Sequence, residues 1–189
     1  MDGARETPGR PPDEPASSED AESMARNVAE LLARTVATLQ GRGIQDEALA
    51  VLRPARRVLL VRRPAAMVPT GRAWRLGVLL IDRQGKLFAT GKVTRAIEPK
   101  RGVNDHSLAA DQRREIERAA SRGPFGAGEV VNYEVEPIDL DAASLGAGSG
   151  RLWIEGDTVM VRWDVSRAGG GASSLEAYLT ERLSLLGPS

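Results

Sequence analysis

Apolar residues change their spacing near residue 55 of this chain, and that change sets which folds are open to it. Over residues 19–40 they stand at Met24, Val28, Leu31, Leu32, Val36 and Leu39, the three-and-four spacing of a single helix face. Ser17 or Ser18 can cap the start and Gly41 supplies a stop. Beyond residue 55 the apolar residues come mostly in short runs bounded by glycine, proline and charge, the pattern of strands and turns. The runs are 57–63 (RVLLVRR), 73–82 (AWRLGVLLID), 86–97 (KLFATGKVTRAI), 128–140 (GEVVNYEVEPIDL, with a break at Pro137), 151–155 and 158–163. Arg83-Gln84-Gly85-Lys86 predicts a hairpin turn, and Glu155-Gly156-Asp157 a second. Pro64 and Pro69 bound an expected loop, and a weak helical turn is expected over 46–52, ended by Pro54.

Two further helices fit the pattern. Residues 108–122 run on a helical pitch to the stop Gly123-Pro124. Residues 173–186 form a closing amphipathic helix, with Ser173 and Glu176 spaced as a capping box. Adjacent hairpins predict an α+β fold, an antiparallel or mixed sheet of about five or six strands packed with two or three helices. The expected organisation is a disordered, acidic and proline-rich tail over 1–18, an amphipathic helix over 19–41, and a single α+β domain over 55–187. The helix stripe is expected to pack on the domain or on a partner.

Composition removes whole classes of chemistry. There is no cysteine, so disulfides, thiolate metal sites and cysteine nucleophiles are excluded. His106 is the one histidine, too few for a histidine-based zinc site. It lies in a polar stretch beside Asn104, Asp105 and Ser107, and sequence neighbours rarely assemble a triad because each member must approach from its own direction. No serine occupies G-x-S-x-G and none precedes a lysine by three. The glycines at 123–128, 146–150 and 169–171 lack the strand and Lys-Ser/Thr context of a phosphate loop. Asp139 and Asp141 share one face of an extended chain, but a hard cation needs further carboxylates, and a turn or helix cap is the simpler expectation. No cofactor is expected. No apolar run reaches the roughly 20 residues of a membrane span, and the polar, acidic start is not expected to serve as a secretory signal. A cytoplasmic protein without membrane association is the expectation.

Charge is zero overall but unevenly placed. Residues 53–101 hold thirteen bases and two acids, Asp82 and Glu98, whereas residues 1–23 hold seven acids and two arginines. Within the basic middle, residues 67–75 (MVPTGRAWR) concentrate ligand-binding residue types. Arginine forks take carboxylate or phosphate in pairs of hydrogen bonds, and tryptophan stacks on planar groups. Arg72, Trp74 and Arg75, with Arg95 on the paired strand, are therefore the candidate contacts, and Lys100 and Arg101 add to the field. A core Trp74 with arginines solvating a sheet edge is the structural alternative.

The segments AAMVPTGRAWRLGVLLIDRQGKLFATGKVTRAIEP, FGAGEVVNYEVEPIDLD and SLEAYLTERLSLL resemble a group of short, uncharacterised actinobacterial proteins often labelled glutaminase. The resemblance covers roughly residues 57–186 and implies an amide hydrolase. Serine-type glutaminases use Ser-x-x-Lys and amidotransferase types use cysteine with histidine. Neither set is present, so no catalytic residue carries over. Two functions follow as expectations. The first is a non-enzymatic module binding an anionic ligand, nucleic acid or a protein partner through the Arg/Trp face. The second is an enzyme of unknown type, nominally an amide hydrolase.

Overall fold

The computed structural model describes residues 18–58, 61–99, 107–146, 150–164 and 171–187. The elements in chain order are α1 (Ser18–Gly41), β1 (Glu47–Arg53), β2 (Arg56–Val58), β3 (Val61–Arg63), β4 (Ala66–Leu76), β5 (Leu79–Asp82), β6 (Leu87–Ala89) and β7 (Lys92–Arg95). Then come α2 (Leu108–Ser121), β8 (Val130–Tyr133), β9 (Glu136–Ile138), α3 (Ala142–Gly146), β10 (Leu152–Glu155), β11 (Thr158–Arg162), β12 (Ala172–Ser174) and α4 (Leu175–Leu185). The fold is α+β with a mixed sheet. Twelve strands and four helices among the described residues exceed the expected counts, because several apolar runs divide.

The run 73–82 is two strands. Gly77 takes φ +63, and the chain turns there between β4 and β5. Positive φ costs glycine nothing. The run 57–63 is likewise part of a hairpin, with Arg56, Arg57 and Val58 paired to Arg63, Arg62 and Val61. Residues 46–52 do not form a helical turn. They lie mostly in β1, which pairs antiparallel with β4 and parallel with β8, so both edges gain sheet bonds that outweigh local helix propensity. Pro69 is not in a loop but inside β4. The register shift there, Leu49 to Gly71 and Ala50 to Pro69, leaves Thr70 as the extra residue of a bulge, a setting that tolerates proline. The break in 128–140 falls at Glu134–Val135 rather than at Pro137. Ser174, not Ser173, caps α4, accepting the Ala177 N–H at 3.2 Å.

The main sheet has the order β7-β8-β1-β4-β5-β6-β9. Only two residues separate β6 from β7 and β8 from β9. In a flat sheet β8 and β9 would lie five strands apart, about 24 Å. Three Cα steps from Tyr133 to Glu136 span at most about 11 Å. The sheet therefore curls until its two ends meet. The pairs Leu87–Ile138 and Lys92–Tyr133 share one antiparallel register, so 87–95 and 130–138 are two long bent strands facing each other. With β1, β4 and β5 they close a five-stranded barrel. An odd number of meandering strands leaves one parallel pair, and that pair is β1–β8.

The bend has a chemical signature. Glu134 takes φ 53, and Gly91 stands opposite it. A Cβ on Gly91 would lie 1.9 Å from the Glu134 carbonyl oxygen, so only glycine permits the approach.

Alternation then separates two environments. Leu49, Ala73 and Leu80, with Phe88 and Val135, form a small cluster on the inner face. The outer face carries Trp74, Leu76, Leu79, Ile81 and Leu87, which join the buried side chains of α1, α4 and β10–β12 in the largest core. Met24, Val28, Leu32, Val36 and Leu39 of α1 are part of that core, so the helix stripe is spent on this chain's own fold. Elsewhere on the outer face, Ala48, Ala50, Val131 and Tyr133 pack with Ala119 and Ala120 of α2.

Candidate functional site

Arg72 and Arg75 both belong to β4 but meet different partners, because successive strand residues point to opposite faces. Arg72 donates through Nε to Asp46 Oδ1 at 2.6 Å, through Nη2 to the Asp46 carbonyl at 2.8 Å and through Nη1 to Glu129 Oε1 at 2.5 Å. Arg83 closes on the other carboxylate oxygen of Asp46, with Nη2 at 2.9 Å. The Asp46 side chain is only 8% exposed. Burial pushes its carboxyl up, but the hydrogen bonds and charges of Arg72 and Arg83 outweigh that and hold it below the ordinary range. Hydrogen bonds from Arg72 and the Gly126 N–H likewise hold Glu129 low.

Arg75 lies on the inner face. Its Nε donates to Glu47 Oε2 at 3.2 Å and its Nη2 donates to Asn132 Oδ1. Asn132 is fully buried, and its amide donates to Glu47 Oε2 at 2.7 Å. Three arginines thus face three carboxylates along one rim of the barrel. This rim is internally neutralised and binds β1, β4 and β8 together.

Trp74 is 3% exposed, and its indole N–H donates to the Ile44 carbonyl at 2.8 Å. It anchors the turn after α1 and offers no open face for stacking. Arg95 is exposed and, among the described residues, donates to the Gly128 carbonyl at 3.2 Å. Arg72 and Arg75 are thus spent on the ion pairs of one rim, Trp74 is buried and Arg95 is exposed apart from them. His106, Lys100 and Arg101 lie outside the described residues. Asp141 caps α3 through the Ser144 N–H and hydroxyl. Among the described residues no group of three His, Cys, Asp or Glu could hold a metal ion, and no helix is long and apolar enough to cross a membrane.

Several exposed arginines, among them Arg26 and Arg113 on the helices, have no ion-pair partner among the described residues, and four cluster in one stretch. Arg53, Arg56, Arg57 and Arg63 are exposed, and none has an ion-pair partner among the described residues. Arg56 stands directly across from Arg63, and Arg57 from Arg62. Like charges directly opposite one another destabilise an antiparallel pair. Among the described residues the strands β2 and β3 pair only with each other. The candidate residues drawn from the sequence do not include this ribbon, although a signal is present: RRVLLVRR reads the same in both directions, as a short hairpin with matched ends would.

Two open clefts carry charges of both signs. One, of about 430 Å³, lies where β9 faces β10 and β11. It sets Glu136 and Asp139 against Arg151 and Arg162, and the Arg162 guanidinium covers the Trp153 ring at 4.8 Å. The other, of about 470 Å³, runs between α1 and the strands β11 and β12. The chain matches no protein-family model, no curated protein and no solved structure.

Proposed function

We propose that this chain is a non-enzymatic binding module for an anionic partner, and that the β2–β3 ribbon with Arg53 is its contact surface. One observation carries the proposal: Arg53, Arg56, Arg57 and Arg63 are exposed without acidic partners among the described residues, while the rim arginines are already neutralised. A ribbon of opposed like charges is held at a cost that a bound anion relieves. Arginine suits the task, since its planar fork takes phosphate or carboxylate through paired hydrogen bonds. Arg72 and Arg75 hold β1 and β4 together at the opposite end of that strand pair from the ribbon. The test is fluorescence anisotropy with a labelled heparin oligosaccharide as a generic polyanion. Binding should fall steeply between about 50 and 200 mM salt. The Arg56→Ser/Arg57→Ser variant should lose most of it while keeping the wild-type unfolding midpoint. Undiminished binding by that variant would place the interaction elsewhere.

A further inference from the structure

The exposed arginines at the root of the ribbon are not evenly spread. Arg56 and Arg63 are Cα partners across the first rung of the β2–β3 pair. Directly opposite residues of an antiparallel pair share one face, with Cβ atoms about 4.5–5.5 Å apart. Two guanidinium groups are therefore rooted side by side, both exposed and neither with an ion-pair partner among the described residues. More positive charge lies close by. Three Cα steps along each strand lead back to the rung Arg53–Ala66, at most about 11 Å away. Arg53 is exposed there. Arg122, at the end of α2, donates through Nη1 to the Ala65 carbonyl at 2.9 Å, which sets its guanidinium beside the same root. The acid that it meets, Glu115 at 3.5 Å, is shared with Arg118 at 3.3 Å.

Charge at one point selects the anion. A rung with two positive charges calls for two negative ones at the same place. A carboxylate or a phosphodiester brings one. A phosphate monoester brings about −1.5 to −2 and three strong acceptor oxygens, enough to meet two arginine forks together. Neither of the two clefts includes these residues, so a small phosphate would meet no cleft wall here. The outer edges of β2 and β3 have no sheet partner among the described residues, so an extended peptide can add main-chain bonds beside the rung. We infer that the anionic partner presents a phosphorylated serine or threonine in an extended segment, and that Arg56 and Arg63 clasp its phosphate, with Arg53 and Arg122 adding to the field around it. This rests on the anion-binding function proposed above and names the chemistry of its anion.

The experiment uses the full chain and a labelled phosphoserine peptide that is neutral elsewhere. The same peptide with two adjacent glutamates in place of the phosphoserine matches its charge but spreads it over two side chains. The phosphopeptide is expected to bind about tenfold tighter, the worth of one further charge-assisted contact. Free inorganic phosphate should displace little of it at the same concentration. Arg56→Gln and Arg63→Gln should each abolish the tenfold preference, because each leaves one fork where the phosphate needs two. Neither substitution should lower the unfolding midpoint, since each removes an opposition of like charges. Arg34→Gln, an exposed arginine paired with Glu30 on α1, should leave the preference intact. Equal binding of the two peptides overturns the inference, as does a preference that survives in either single variant. Inorganic phosphate competing as well as the phosphopeptide overturns it too. In each of those cases the anion-binding function stands provided that heparin binding is lost in the Arg56→Ser/Arg57→Ser variant. Failure of heparin and of both peptides to bind at low salt overturns both.

Discussion

Gly91 offers a direct test of barrel closure. It faces Glu134 at the bend of the two long strands, and a methyl group there would lie 1.9 Å from the Glu134 carbonyl oxygen and 2.4 Å from its carbonyl carbon. Both atoms are backbone, so no side-chain rotation relieves the clash. Ordinary contact begins near 3.4 Å, and the strands must part by about 1.5 Å in Gly91→Ala. Overpacking of this kind costs about 1–3 kcal/mol. Against it stands the roughly 0.4–1 kcal/mol that alanine returns by restricting the unfolded chain. The net expectation is a loss of about 1–2 kcal/mol. Gly71→Ala is the matched control, because Gly71 also lies in a barrel strand but its nearest foreign atom is Leu49 Cδ1 at 3.9 Å. That variant should be neutral or gain up to about 1 kcal/mol. Urea unfolding of the two variants measures the difference as a shift in midpoint at constant slope. With a slope of about 2 kcal/mol/M the midpoints should separate by about 1 M. Coincident midpoints would refute the close approach, and with it the joining of the sheet's ends at this point.

Two other outcomes follow from the ion pairs and from the core. Asp46 and Glu129 are both held below their ordinary values in the fold, so their contribution is present above the unfolded carboxylate range and is lost as pH falls through the folded values. The melting temperature should therefore fall below about pH 4, and Arg72→Gln should lower it at neutral pH while flattening that acid limb. Tyr178, almost fully buried, donates to the Leu76 carbonyl at 2.9 Å and accepts the Val78 N–H at 2.8 Å across the β4–β5 turn. Tyr178→Phe should cost about 1–3 kcal/mol and speed hydrogen exchange of the Val78 amide, whereas unchanged exchange there would contradict the bond.

Features set by near neighbours in the chain are legible in the residues. The stripe from Met24 to Leu39 buries the face that its spacing marks, because helix periodicity depends on neighbours three and four residues away. The turns at Gly85 and Gly156 sit at positive φ, where glycine is permitted and most residues are not. Gly77 shows the limit of that signal: the same residue type inside an apolar run reads as strand, and only its φ of +63 makes it a turn.

The remainder depends on partners distant in the chain. Glu47–Arg53 has the composition of a helix turn and is a strand because β4 and β8 supply sheet bonds on both of its edges. Charge counts reveal a basic middle, but not that Arg72 meets Asp46, 26 residues away, and Glu129, 57 residues away. A count of charges carries no information about which pairs will be brought within reach of one another. The sequence alone determined the α+β class, the main helix and the surplus of arginine over acid in the middle of the chain. Tertiary structure decided which arginines are neutralised within the fold and which remain exposed, because ion pairing requires approach within a few ångströms and only the closed barrel sets those distances.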